Sequence, residues 1–247
     1  GMLCQRIRRH PGRLRDPERL TTPMLRQGDT WRPITWEAAL RLAASKLGQA
    51  LAECGPPSVV WIGGGGSLGL SKQLIGHFFH SLGPVTTRAG GVCGAAGDAA
   101  QLLDFGGAAG HDYSDMVHSR AVVLWGKDPA TTGLHLLPFV RAARRRGAPV
   151  TLVEVRPTAT AALVDRVIRI RPGGDGWLAL AVLQRLNAQN QLDESVWHRV
   201  ANAHDLAPFL AKDGCEAAHM AGAAMADVSW LADVYAHHKP VGTWLGW

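Results

Sequence analysis

Ala121-Val122-Val123-Leu124-Trp125-Gly126-Lys127-Asp128-Pro129 is the stretch that decides the fold class. Its five apolar residues are too few for a helix and dense enough for a strand buried on both faces. Gly126 and Pro129 break that strand into a loop. The helix that follows ends in Arg144-Arg145-Arg146-Gly147, a basic last turn with a glycine stop. Val150-Thr151-Leu152-Val153-Glu154 repeats the strand signal, Val167-Ile168-Arg169-Ile170 gives a shorter one, and a helix runs from Asp175 to Asn187. Strands alternating with helices at this spacing predict βαβ units. The expected fold is therefore α/β: a Rossmann-like, doubly wound, mostly parallel sheet with helices on both faces.

Working outward, Ser58-Val59-Val60-Trp61-Ile62 reads as a further strand that empties into Gly63-Gly64-Gly65-Gly66, with helical periodicity resuming over 70–82. Before it, Thr35 is a plausible N-cap, with Glu37 in the first turn. Leu40, Ala43, Ala44, Leu47 and Leu51 recur at helical spacing until Gly55-Pro56-Pro57 stops the element. The segment from Met2 to Pro33 is basic and punctuated by Pro11, Pro17, Pro23 and Pro33, which predicts an extended N-terminal arm with little core of its own. Residues 193–238 read as mostly helical, and 241–247 as a strand beginning again. The expected division is an arm over 1–34, an incomplete first α/β part over 35–92, and a Rossmann-like nucleotide-binding domain over 93–247. A chain that stops on a rising strand reads as a fragment.

Composition narrows the function classes. With 47% hydrophobic and 19% charged residues in a chain of 247, disorder is excluded, and no apolar run is long enough for a membrane span. Lys+Arg 26 against Asp+Glu 20 leaves +6, a surplus that suits nucleic acid or a ligand bearing several phosphates. The arginine-rich arm over 6–19 lacks interleaved aromatics and any recognised motif, so nucleic acid is not expected. Cys4, Cys54, Cys93 and Cys215 form no CxxC pair, which argues against a disulfide framework; no secretory leader is read, and a cytoplasmic setting is expected.

In open α/β sheets ligands bind outside the carboxyl ends of the strands. Four loops qualify: 63–69, 126–132, 156–160 and 171–176. The first carries a literal G-x-G-x-x-G, Gly64 to Gly69, but the strand end about 20 residues on reads Val85-Thr86-Thr87-Arg88, with no carboxylate to hold a ribose. Arg88 could meet a 2′-phosphate, so an NAD(P)-binding dehydrogenase stands as an alternative, as does a cofactor-free structural or partner-binding fragment. Cys93 lies in Arg88-Ala89-Gly90-Gly91-Val92-Cys93-Gly94-Ala95-Ala96-Gly97, crowded by small residues just before a predicted helix start, where a thiolate is favoured for metal binding or attack; a buried inert cysteine is the other reading. His77, His80, His237 and His238 accompany no zinc motif and are not read as ligands.

Taken together, the residues resemble the molybdopterin oxidoreductase family, the dimethylsulfoxide reductase and formate dehydrogenase superfamily. Arg19-Leu20-Thr21-Thr22-Pro23-Met24 resembles its "RL..P" arm, and Trp31 to Ala39 its "w..isWdeAl" helix start. Trp125-Gly126-Lys127-Asp128-Pro129-Ala130-Thr131-Thr132 is similar to its "G.NPa.t" loop, Glu154 to Ala161 to "DPR.t.TA", and Arg171-Pro172-Gly173-Gly174-Asp175-Gly176 to "rPGtDgaL". The resemblance implies bis(molybdopterin guanine dinucleotide) carrying molybdenum or tungsten, with Cys93 as the protein ligand to the metal and the catalytic residue. It further implies that Gly65, Gly66 and Ser67 approach the pterin. Gly126, Lys127, Asp128, Thr131, Glu154 and Arg156 would hold a dinucleotide arm, and Gly173 and Asp175 would lie at the guanine. The implied reaction is two-electron redox of a small-molecule substrate, with an electron-transfer or iron–sulfur partner.

Several departures qualify the resemblance. Cys4 alone stands where the family often has four cysteines, and one thiolate cannot hold a 4Fe–4S cluster, so this chain does not support one. Gly94 follows Cys93 where formate dehydrogenases place a histidine, which argues against formate. The neutral amide of "NP" is replaced by Asp128, and "DPR" by Glu154-Val155-Arg156.

Overall fold

The computed structural model describes residues 3–66, 69–107 and 110–246. The chain divides into two units, Gly1–Asp98 and Ala99–Trp247, and each is taken by itself.

The first unit opens with α1 (Gln5–Arg13) and an antiparallel hairpin of β1 (Met24–Gln27) and β2 (Thr30–Pro33), where the sequence leads one to expect only an extended arm. The prolines mislead because they sit at element boundaries. Pro23 precedes β1, Pro33 closes β2, and Pro11 falls near the end of α1, places where a missing N–H costs least. Gly28, at φ +60, supplies the hairpin turn. The lack of a core is as expected, since no described residue of this segment is buried.

Next come α2 (Trp36–Cys54), β3 (Val60–Trp61), α3 (Gln73–Ser81), β4 (Thr86–Thr87) and α4 (Ala95–Phe105), the last crossing into the second unit. The signals for α2 act as expected. Thr35 Oγ1 accepts from Ala38 N at 3.2 Å, and Gly55, at φ +74, donates to Leu51 O at 3.0 Å. The strand read over 58–62 shrinks to two residues paired in parallel with β4, because Pro56–Ser58 coils into a 3-10 turn and Gly63 follows at once. Burial in this unit is sparse. Among the described residues up to Asp98 only Val59 is buried. Leu40 on α2 is 63% exposed and Leu74 on α3 66%. The stripe drew the helix correctly, but no described residue seals it.

The second unit holds the expected Rossmann-like architecture. Strands β5 (Ala121–Trp125), β6 (Val150–Glu154), β7 (Arg166–Arg169) and β8 (Val241–Leu245) form one fully parallel sheet in the order β7-β6-β5-β8. Between them lie α5 (Pro129–Thr132), α6 (Leu137–Arg145), α7 (Asp175–Ala188), α8 (Glu194–Trp197), α9 (Ala203–Leu210), α10 (Cys215–Ala221) and α11 (Met225–His237). Strand period two sorts the core into two faces. Ala121 and Val123 join Val153 and Ile168 against α7, α10 and α11. Val122 and Leu124 join Val150 and Leu152 against Val140 and Ala143 of α6. Helices therefore cover both faces, and each fully buried Leu or Val contributes roughly 1.5–3 kcal/mol.

Polar groups inside this unit are paired where they fix geometry. Thr151, wholly buried in β6, accepts from Trp230 Nε1 at 3.0 Å, pinning α11 to the sheet. The guanidinium of Arg166 bonds Asp227 Oδ1 at 2.7 Å and lies 5.2 Å from the ring centre of Trp230. Tyr235 Oη and Thr243 Oγ1 share a hydrogen bond of 2.9 Å between α11 and β8. Burial raises the Tyr235 phenol above its ordinary 10.0, with the bond to Thr243 pulling partly the other way. The neutral phenol is thus favoured in the folded state. The stabilisation is complete below the ordinary value and fades as pH rises through the raised one. Chemical unfolding followed from pH 9 to 11 (about one unit either side of the ordinary phenol value) is expected to show stability falling more steeply in the native protein than in Tyr235→Phe.

Candidate cofactor-binding site

Sheet order places the site. From β5 the chain steps through β6 to β7 in one direction, then returns through α7 to α11 and lays β8 on the far side of β5. The winding reverses between β5 and β8, and a reversal opens a crevice at the carboxyl ends of the strands. The loops after β5, β6 and β7 all lie on that edge. It gathers Gly126, Lys127, Asp128, Thr131, Glu154, Arg156, Gly173 and Asp175 from three segments of the chain.

The β5 loop turns at Gly126, whose φ is +61 and whose N–H donates to Val153 O at 2.8 Å. Asp128 follows and is only 6% exposed. Its Oδ1 accepts from Thr160 Oγ1 at 2.5 Å, and that same hydroxyl oxygen accepts from Ala130 N at 3.1 Å. Thr160 thus stitches the β5 loop to the 3-10 turn after β6. The other oxygen, Oδ2, is buried without a hydrogen-bond partner and lies 3.6 Å from a guanidinium nitrogen of the exposed Arg156. Thr158 Oγ1 is likewise buried and unpartnered. Glu154, 7% exposed at the end of β6, accepts from Val155 N at 2.8 Å.

The third loop is held from below. Arg171 N donates to Ala221 O at 2.8 Å and Gly174 N to Arg171 O at 2.9 Å; a Cβ on Gly174 would stand 2.7 Å from Ala221 O. Only glycine fits there. Gly174→Ala is expected to push the start of α7 away and cost about 1–3 kcal/mol, readable as a lower midpoint in denaturant. Asp175 then opens α7, its Oδ1 accepting from Trp125 Nε1 at 2.8 Å. Trp125 also accepts at its carbonyl from Gly246 N at 2.8 Å, so one residue ties three segments of the rim together.

The remaining expected site residues belong to the first unit. Gly65 and Gly66 lie in the loop after β3, and Ser67 lies outside the described residues. In that loop Lys72 Nζ donates to Gly64 O and, at 2.6 Å, to Gly66 O. Carbonyls that converge on an ammonium are the reverse of the N–H cradle a dinucleotide phosphate needs. Gly64 and Gly66 thus turn carbonyls rather than N–H groups toward Lys72, and Lys72 and Arg88 both line the open cleft beside them, of about 490 Å³. Cys93 is a free, exposed thiol two residues before α4. The reading of Cys93 as a buried inert residue is set aside.

Two contributors escaped the sequence reading. Thr160 and Trp125 fall there within quoted motifs, at a loop boundary and a strand end, but neither is given a role. A tryptophan ending a buried strand brings an N–H that needs a partner, which was the one usable signal. Among the described residues no group of three or more His, Cys, Asp or Glu could hold a metal ion, and no helix is long and apolar enough to cross a membrane.

The architecture has known counterparts. The sequence model of the molybdopterin oxidoreductase family matches residues 19–239, and the chain belongs to that family. It is 33% identical over 248 residues to the probable oxidoreductase YyaE of Bacillus subtilis, covering 100% of this chain and 37% of that one. It is 25% identical to the assimilatory nitrate reductase catalytic subunit of the same organism, covering 78% of this chain and 28% of that protein. To the probable dimethyl sulfoxide reductase chain YnfF of Escherichia coli it is 29% identical, covering 82% and 26%. Acetylene hydratase from Pelobacter acetylenicus shares the fold, with a TM-score of 0.74 at 18% identity over 99% of this chain and 34% of that one. The chain spans no more than 37% of the length of these proteins.

Proposed function

We propose that the carboxyl edge of the second unit holds a guanine dinucleotide arm of a molybdopterin cofactor, within an oxidoreductase acting on a small molecule. The observation that carries this reading is the buried Asp128 Oδ2 at the reversal of the sheet, which has an ion pair with Arg156 at 3.6 Å but no hydrogen bond, with Thr158 Oγ1 also lacking a hydrogen bond on the next loop. A buried polar atom left without a bond costs about 1–3 kcal/mol, and ribose hydroxyls are donors of the right kind to relieve it. Glu154, fixed at the end of the strand next to β5, suits the same sugar by the logic of dinucleotide folds. Arg156 is ion-paired with Asp128 at 3.6 Å yet exposed, so the rest of its guanidinium suits pyrophosphate. Asp175 offers a carboxylate that accepts from the ring and amino N–H groups of guanine.

When bound, the cofactor supplies two-electron redox chemistry at molybdenum or tungsten. The protein's share is to orient it, neutralise its phosphates and present one soft ligand, a role that falls to the exposed thiol of Cys93. The family's range, which includes relatives named as nitrate and dimethyl sulfoxide reductases, supports a small oxidised substrate. Electrons would pass to or from a separate redox partner. The dehydrogenase alternative has less support, because the first glycine loop turns its carbonyls toward Lys72.

Calorimetric titration of the chain with guanosine diphosphate tests the nucleotide reading. Binding is expected to exceed that of adenosine diphosphate. Asp175→Asn should weaken guanosine diphosphate roughly 10- to 100-fold, the worth of a charged hydrogen bond, while improving xanthosine diphosphate, whose O2 can accept from the new amide. Equal binding of the three bases before and after substitution would overturn the reading.

A further inference from the structure

We infer that Trp125 is a positioning residue that sets base selectivity at this site by holding the Asp175 carboxylate away from its own helix. The inference rests on the nucleotide-binding reading above and assigns a role to a residue that does not itself meet the base. Asp175 is the first residue of α7, where free backbone N–H groups and the helix dipole attract a carboxylate inward. Among the described residues, however, the only hydrogen bond to that carboxylate comes from the indole of Trp125, 2.8 Å from Oδ1.

A tryptophan can do this because its other attachments are fixed. The ring is half-buried against the apolar core beneath the sheet, and the Trp125 backbone is locked in β5, paired with Val153 of β6 and Leu245 of β8. Its carbonyl accepts from Gly246 N at 2.8 Å. The indole N–H is therefore a rigid donor aimed at one oxygen. The remaining lone pairs of Asp175 stay available on the exposed side, since the residue is exposed at the rim. Guanine needs an acceptor for two adjacent N–H groups, whereas adenine presents no such pair. Removing the indole donor frees the carboxylate to cap α7, and guanine loses its acceptor while the phosphate contacts are untouched.

Trp125→Phe keeps an aromatic ring against the core and every backbone bond, and deletes the donor together with the smaller half of the indole, so the thermal midpoint is read beside the affinities to separate lost packing from the lost donor. The expected result is a guanosine diphosphate affinity lowered about tenfold, the worth of a charged hydrogen bond at its lower limit, with adenosine diphosphate binding and thermal midpoint close to native. In an Asp175→Asn background the same change should have no further effect on the ratio of the two affinities. Equal losses for both nucleotides with a lowered midpoint would make Trp125 a packing residue only and overturn the inference, as would an unchanged ratio. If the native chain shows no guanine preference, the failure is that of the nucleotide reading itself and the inference falls with it. Should the variant not fold, the indole N–H resonance of Trp125 in the native protein decides. A shift with guanosine diphosphate and none with adenosine diphosphate supports the role; equal shifts contradict it.

Discussion

On the proposed function, alanine in place of Cys93 is expected to abolish turnover of the cofactor-loaded protein and to remove one sulfur neighbour from the metal in X-ray absorption. The second unit should melt unchanged. The thiol is exposed and unpaired with any other cysteine, and small residues flank it: Gly90, at φ +69, Gly91, Gly94 and Ala95. Such a setting gives a bulky ligand room to approach the sulfur and contributes nothing to a core. Cys93 lies outside the unit that holds the parallel sheet, so its loss should leave that sheet's stability alone. Full turnover in the variant, or an unaltered sulfur count, would remove Cys93 from the metal.

The second large effect contrasts one substitution in two places. Leu152→Ala empties a wholly buried position in β6, an interior strand of the sheet, and is expected to cost about 2–5 kcal/mol. That is a large share of the roughly 5–15 kcal/mol available to a domain. Leu40→Ala removes the same atoms from α2, where the side chain is 63% exposed, and should change stability by no more than about 0.5 kcal/mol. Urea unfolding followed by tryptophan fluorescence checks both. Comparable losses at the two positions would contradict the exposure of Leu40 on α2.

What could be read in advance follows from how local each signal is. The runs at 121–125 and 150–154 are buried on both faces and carry their own evidence, as do the Thr35 cap and the Gly147 stop. Even β8 was visible as a strand beginning after Pro240, though its place beside β5 was not, because sheet order is decided by distant packing. The stripe on α2 predicts a helix and a helix forms, yet Leu40 on it is exposed. Periodicity reports a face that can be buried, not what covers it. On the rim, Gly126, Asp128, Arg156 and Asp175 are legible as residues of loops that follow strands, and Glu154 as the end of a strand. The bonds that give them direction are not: Thr160 to Asp128 joins positions 32 apart, and Trp125 to Asp175 joins positions 50 apart.

Analysis of what leaves the protein on denaturation, after production in a host that makes molybdopterin guanine dinucleotide, tests the central claim most directly. Molybdenum or tungsten should appear in constant proportion to protein, together with guanine nucleotide, and Asp175→Asn should lower both. Folded protein that releases neither metal nor guanine nucleotide would contradict it.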